Sequence, residues 1–328
     1  MRNSFFLKTS EQMNLEVTGH KPVLLKELVD AIKPKENEIY FDATFGDGGY
    51  SSKLLETTNC QVIAIDQDPF VQSKAKEFKQ KYGERFIFFE EKFSGIQNVM
   101  EKIKKKEING FVFDIGVSSM QLDNPDRGFS FQNEGSLDMR MDSSGKTAAE
   151  LIENIEENDL ADIIYYYGDE RNSRKIAKKI VEYRKNAQIN TTLELAEIVK
   201  NCFPSRYYKK HPATKTFQAI RIYLNNEIEE LCDGLNNASQ YLSKGGRLCI
   251  VSFHSIEDRL IKNFFQFGKD NLDLKRNLFD KYKNKVIKPN NKEIEINPRS
   301  RSAKLRFAIR NEREFSSIKL TELGFELA

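Results

Sequence analysis

The sequence predicts an α/β chain: a doubly wound parallel sheet with an all-helical domain inserted in it. Three observations lead there. Between residues 39 and 114, short apolar runs alternate with helical patterns. The alternation stops at a long loop over 116–142, and from 147 to 202 only helical patterns occur. Strand-like runs then return at 247–253 and 304–310.

Taken in order, the first strand is the apolar run 39–45, followed at once by Gly46, Gly48 and Gly49. Glycine lets a backbone turn sharply and lets a ligand sit against it. A helix begins at 51–56, its free N–H groups facing the loop. The second strand, 62–65, ends in Asp66, and Asp68-Pro69 leads into a lysine-rich helix over 71–81. The third strand, 85–89, runs through Phe93 and a capping Ser94 into a helix over 96–106. The fourth, 111–114, again ends in an acid, Asp114. Phe45, Asp66, Phe93 and Asp114 therefore converge at the carboxyl ends of the strands, where such sheets bind ligands.

The helical patterns past the loop cover 148–152, 159–167, 173–185 and 193–202, with caps such as Asn158 and Thr192. The expected division is a flexible extension over 1–18, a discontinuous sheet domain over 19–142 and 206–328, and an inserted substrate-recognition domain over 143–205. One long helix is expected over 216–242, then a strand over 247–253, with His254 opening the next helix. The segment 270–291 is charged and poorly patterned, with a weak strand at 285–288. A last strand covers 304–310.

Composition bounds the reading. The 328 residues are 39% hydrophobic and 31% charged, enough for a sizeable core and a well-solvated surface. The net charge of +3 is too small to argue for a nucleic-acid partner, so the distribution of charge must do so. Four scattered cysteines fit free thiols in a reducing cytoplasm. Three histidines argue against a His-rich metal site, and no metal is expected. No apolar run approaches a membrane span, and Phe5-Phe6-Leu7 is too short for a signal-peptide core.

A glycine loop followed by Asp66, about 20 residues on, is the layout of a nucleoside site, with the acid on the ribose hydroxyls. The third glycine of a dinucleotide fingerprint is missing; Ser51 or Ser52 stands there. Asp42 and Asp47 flank the loop, an arrangement that repels a pyrophosphate and suits a cation. S-adenosyl-L-methionine is such a ligand, with a ribose, an adenine, a sulfonium and an ammonium but no phosphate.

Eight motifs occur in order: Gly19-His-Lys-Pro-Val-Leu-Leu25, Asp42-Ala-Thr-Phe-Gly-Asp-Gly-Gly49, Asp114-Ile-Gly-Val-Ser-Ser119, Asp126-Arg-Gly-Phe-Ser-Phe131, Leu137-Asp-Met-Arg-Met141, His211-Pro-Ala-Thr-Lys-Thr-Phe-Gln-Ala-Ile-Arg221, Ser252-Phe-His-Ser255 and Asn297-Pro-Arg-Ser-Arg-Ser302. Together they resemble the bacterial ribosomal RNA small subunit methyltransferase H family, also called MraW. Its members methylate the N4 amine of a cytidine in 16S ribosomal RNA with S-adenosylmethionine. The resemblance implies a Rossmann-like class I methyltransferase sheet with an inserted helical domain. It also implies cofactor contacts at Gly48, Gly49, Tyr50, Asp66, Phe93, Asp114 and Gln121. The family usually has histidine where this chain has Tyr50.

Cytosine N4 is a poor nucleophile because its lone pair is delocalised, so acceptors aimed at its hydrogens help it become tetrahedral and hold it in line. The candidates are Asp114, the carbonyls of Ile115 and Gly116, and the Ser118 hydroxyl, with His254 a candidate for the released proton. Two acid-free basic stretches suit RNA. One, 205–221, carries Arg206, Lys209, Lys210, Lys215 and Arg221 among Tyr207, Tyr208 and Phe217; the other, 297–311, carries Arg299, Arg301, Lys304, Arg306 and Arg310. Arg127, with Phe129 and Phe131, is a candidate guide for the target base. The expected partner is 16S ribosomal RNA in the small subunit, with no membrane, and homodimer formation is left open. The rivals are a methyltransferase for protein or a small molecule, which the basic stretches oppose, and a non-catalytic RNA-binding module, which the intact glycine loop opposes.

Overall fold

The structure is a computed structural model that describes residues 22–205, 208, 210–268, 276–282 and 286–325; the expected N-terminal extension lies outside them. The elements are α1 (Leu25–Ile32), β1 (Ile39–Asp42), α2 (Gly49–Thr57), β2 (Gln61–Asp66), α3 (Gln72–Tyr82), β3 (Phe86–Glu90), α4 (Ile96–Ile103), β4 (Ile108–Asp114) and α5 (Ser119–Asp123). Then come α6 (Ala148–Asn154), α7 (Glu157–Gly168), α8 (Ser173–Arg184), α9 (Thr192–Lys200), α10 (Thr214–Leu224) and α11 (Glu227–Tyr241). The chain closes with β5 (Leu242–Ser252), α12 (Ser255–Gln266), β6 (Phe279–Tyr282), α13 (Asn291–Ile296) and β7 (Lys304–Arg310).

The strands form one sheet in the order β3-β2-β1-β4-β5-β7-β6, parallel except that β7 runs antiparallel to both of its neighbours. The order reverses between β1 and β4, so a crevice opens at their carboxyl ends. Both faces are covered. Alternate residues of one strand feed opposite cores: Phe41 and Phe111 pack toward α4 and α11, and Tyr40 and Val112 pack toward α1 and α2. A sheet buried on both faces needs continuous apolar strands, which is why these strands stand out in the sequence.

A third core lies in the helical unit, from Ile152, Leu160, Ile176, Ile180, Leu195 and Val199. It also draws in Phe217 and Ile220 of α10 and Leu137 and Met139 of the long loop, while Ile163 and Tyr167 of α7 pack into the sheet core. In packing terms the helical unit therefore reaches beyond 143–205 on both sides.

Four expectations differ from the structure. The helix expected over 216–242 is two helices, α10 and α11. The break comes where Asn226 takes a left-handed φ of 50° and the Asn225 side chain donates to the Met139 carbonyl and accepts from Met141 N–H, both at 2.8 Å. The long loop is not featureless, because Ser118 and Gln121 form a reciprocal capping box that starts α5. The caps fall on Glu156 and Thr191 rather than Asn158 and Thr192. Strand β6 lies in the stretch read as unpatterned; the weak strand at 285–288 reduces to a single bridge of Ile287 with Leu305, residue 285 lying outside the described residues.

Candidate active site

A cleft of about 980 Å³ opens at the reversal point, between the carboxyl ends of the strands and the helical unit. Its floor is the β1–α2 loop. Asp42 is fully buried beneath that loop, accepting from Thr44 N–H at 3.1 Å and from the Ser51 hydroxyl at 2.7 Å. Burial raises its carboxyl above the ordinary value. Asp42 therefore anchors the loop from below and does not line the cleft; Asp47 does, from the exposed side.

The glycines divide the work differently from the sequence reading. Gly48 has a φ of 75°, and a Cβ there would meet the Phe78 ring at 2.4 Å and the Phe45 ring at 2.8 Å. It faces the aromatic core and does not line the cleft. Gly46, in the loop but not among the contacts the resemblance implies, has a φ of 48°, open space beside it, and lines the cleft. Gly49 opens α2 and lines the cleft as well.

Asp66, at the end of β2, accepts from Gly46 N–H at 2.8 Å and from Asp68 N–H at 2.9 Å, one donor on each oxygen. Each oxygen keeps a lone pair for a further donor. Burial pushes its carboxyl up to about 6 against those two bonds. Phe93 lines the same side, held edge-on to Phe113.

Beside it, Asp68 is the hub of a buried knot. Gln121 donates to it at 2.8 Å and Arg127 at 2.8 and 3.1 Å. The Gln121 amide also accepts from Ser118 N–H at 3.0 Å. Gln121 lines the cleft with both ends of its amide engaged by the protein. Arg127 is 8% exposed and bonded to Asp68 and to the Arg140 and Met141 carbonyls. That overturns its expected role as an RNA guide: its guanidinium already ties the long loop to β2.

Asp114 ends β4, its N–H bonded to the Thr44 hydroxyl at 2.7 Å. Its Oδ1 is buried without a hydrogen-bond partner. Burial pushes the carboxyl up to about 8; the Tyr50 hydroxyl works to lower it, and the charges of Asp42 and Glu257 work to raise it. Tyr50 is buried, and its hydroxyl donates to the Val23 carbonyl at 2.5 Å beside Asp114. The phenol acts here through its own oxygen. Ser118 lines the cleft next to them as the cap of α5.

His254, at the end of β5, caps α12: its Nδ1 accepts from Glu257 N–H at 3.4 Å. In a neutral ring whose Nδ1 accepts, that lone pair is the one a released proton would need, and the Glu257 N–H already occupies it, against the expected role of His254 as proton acceptor. Glu257 accepts from Phe253 N–H at 2.8 Å. Burial works to raise its carboxyl, and His254 and Arg221 outweigh it, holding the group below its ordinary value. Ligand atoms of Glu227, His254 and Glu257 come within 4.8 Å of one another, but Arg221 holds both Glu227 oxygens, at 2.6 and 2.7 Å, so the Glu227 carboxylate is already neutralised by an arginine. The same pairing corrects the assignment of Arg221 to RNA, because its side chain is only 13% exposed.

At the mouth, Lys210, Lys215, Arg299 and Arg301 line the cleft, together with Lys288, which the sequence reading passed over. Lys215 donates to the Asp169 carbonyl, and Arg299 pairs with Asp123 at 2.6 Å on the open surface. Arg206 and Lys209 lie outside the described residues. Phe131 forms an aromatic cluster in the cleft wall, 4.6 Å from Phe217 and 4.9 Å from His211 between ring centres.

The sequence is 50% identical over 304 residues to ribosomal RNA small subunit methyltransferase H of Rickettsia massiliae (strain Mtu5), covering 89% of this chain and 98% of that protein. It is 52% identical over 301 residues to the protein of the same name from Rickettsia bellii (strain RML369-C), covering 88% and 98%. The model of the MraW methylase family matches residues 17–311. A glycine loop over a buried anchor, two acids with raised carboxyls in one cleft, and a match along nearly the whole chain lead to one conclusion: this chain belongs to the MraW methylase family.

Proposed function

We propose that the protein transfers a methyl group from S-adenosyl-L-methionine to the N4 amine of a cytidine in 16S ribosomal RNA of the small ribosomal subunit. The observation that carries this reading is Asp114, a buried carboxyl with an unpartnered oxygen, in the same cleft as Asp66. The residues fit the cofactor: acids with raised carboxyls suit a cationic, phosphate-free nucleoside, and the cleft has room beyond one such molecule.

S-adenosylmethionine, when bound, supplies an electrophilic methyl carbon. The chain's own residues do the rest. Asp66 takes the ribose diol on its two free lone pairs, Phe93 flanks the adenine, and Gly46 leaves room for the loop to close on the ligand. Gly49 and Tyr50 support that loop, and Gln121 holds Asp68 and α5 in place beside it. Asp114 accepts from the N4 amine and takes the proton it loses, with Ser118 a second acceptor. Lys210, Lys215, Arg299 and Arg301 hold RNA phosphates, and Phe131, backed by the buried Phe217, stacks an unpaired base. The helical unit serves as the substrate grip, and such a substrate puts the protein in the cytoplasm.

The test is transfer of a tritiated methyl group in mixtures of small-subunit RNA and protein. Label in the RNA supports the reading. Label only in protein, or only in a small molecule, overturns it.

A further inference from the structure

Among the described residues, two buried side-chain atoms without a hydrogen-bond partner belong to cleft residues: Asp114 Oδ1 and His254 Nε2. The other two such atoms, on Thr216 and Ser252, belong to residues that do not line it. A buried polar atom left unpaired is costly, and in a ligand site it marks where the ligand supplies the partner.

The two atoms have opposite character. Asp114 Oδ1 is a carboxyl oxygen, an acceptor. His254 Nδ1 accepts the Glu257 N–H, so in the neutral ring the proton sits on Nε2. That nitrogen is therefore a donor. It lies 2.9 Å from Glu257 Oε1, yet its N–H does not point at that oxygen in hydrogen-bond geometry. The His254 side chain is 10% exposed, and Glu257 holds the backbone N–H groups of Phe253 and His254, at 2.8 and 3.2 Å. The two residues also leave neighbouring strands: Asp114 pairs with Val251 across β4 and β5, three residues before His254.

An acceptor and a donor at the ends of neighbouring strands, lining one cleft, suit the Watson–Crick edge of cytosine, where the N4 amine stands next to the N3 acceptor. Uracil presents the reverse, an acceptor at O4 and a donor at N3. Resting on the cytidine substrate proposed above, we infer that His254 Nε2–H donates to N3 of the target cytosine while Asp114 receives the N4 amine. His254 is then a specificity-determining residue that touches the substrate, and not a base.

The experiment is a two-by-two cycle on methyl transfer. Small-subunit RNA carries cytidine or 3-deazacytidine at the target position, and the enzyme is wild type or His254→Ala. His254→Asn is run in parallel, because asparagine keeps a helix cap if alanine weakens α12. Each single change is expected to lower kcat/KM about tenfold or more, as loss of one buried hydrogen bond does. The double change is expected to lose no more than either alone. Losses that multiply, or a wild-type enzyme indifferent to deazacytidine, overturn the His254 contact and leave the substrate reading standing. A wild-type enzyme that methylates no cytidine overturns both.

Discussion

Arg127 Nη1 reaches both carboxylate oxygens of Asp68, at 2.8 and 3.1 Å, while its Nη2 donates to the Arg140 and Met141 carbonyls, each at 3.0 Å. The pair joins the end of β2 to the long loop; Asp68 lines the cleft and Arg127 does not. Removing one member strands the other as an uncompensated buried charge. Arg127→Ala should therefore lower unfolding stability by about 3–5 kcal/mol, read from urea denaturation. A fully stable variant that loses only RNA affinity would show that Arg127 serves the RNA after all.

The glycine loop and Asp66 were legible because loop, helix start and acid follow one another along a single stretch, and the strands because both sheet faces are buried. Arg127 and Arg221 were not. Arg127 stands among the aromatics of the long loop and Arg221 in an acid-free stretch, but the partners that neutralise them, Asp68 and Glu227, are fixed by folding, the first 59 residues away. Strand β6 was missed because it lies on the sheet edge, where its Phe-Asp-Lys-Tyr need not be continuously apolar. The α10–α11 break was missed because Asn225 is held by tertiary bonds to Met139 and Met141 that leave no local signature.

Asp66→Asn keeps the size of the side chain and an oxygen for one of the two loop N–H groups. It removes the charge that would hold the ribose diol. Cofactor affinity should fall at least about tenfold, since a hydrogen bond to a charged group contributes roughly 1.5–3 kcal/mol. Calorimetry on the folded variant checks this, and an unchanged affinity would exclude the ribose role.

Gly46 and Gly48 should respond differently to alanine. Gly48→Ala drives a methyl group into the Phe78 and Phe45 rings, so it should lose thermal stability as well as binding. Gly46→Ala meets nothing within 4 Å and carries only the strain of its φ of 48°, so its larger effect should be on cofactor binding. Thermal melts with and without S-adenosylmethionine separate the two. Equal destabilisation would contradict this division of labour.

Asp114 gives the binding step a pH dependence. Burial holds its carboxyl at about 8, far above the ordinary 3.8, so it is largely protonated at neutral pH in the empty cleft. Because the folded value is the higher one, this group's contribution to stability is present at low pH and is lost as pH rises through about 8. A cationic ligand favours the ionised form, so binding should release protons, and affinity should rise as pH climbs toward about 8. Calorimetry in buffers of different ionisation heat measures the release. Tyr50→Phe removes the hydroxyl that lowers the carboxyl and should move the transition to higher pH. Proton uptake on binding would reverse the sign and reject the account.

The central claim is the chemistry and its target. Small subunits lacking the modification are incubated with the protein and S-adenosylmethionine carrying a deuterated methyl group, and the 16S ribosomal RNA is digested to nucleosides for mass spectrometry. The expected result is labelled N4-methylcytidine, formed by the wild-type protein and not by Asp114→Ala. Label on another nucleoside or another atom of cytidine, or no label from a folded, cofactor-binding protein, would contradict the claim.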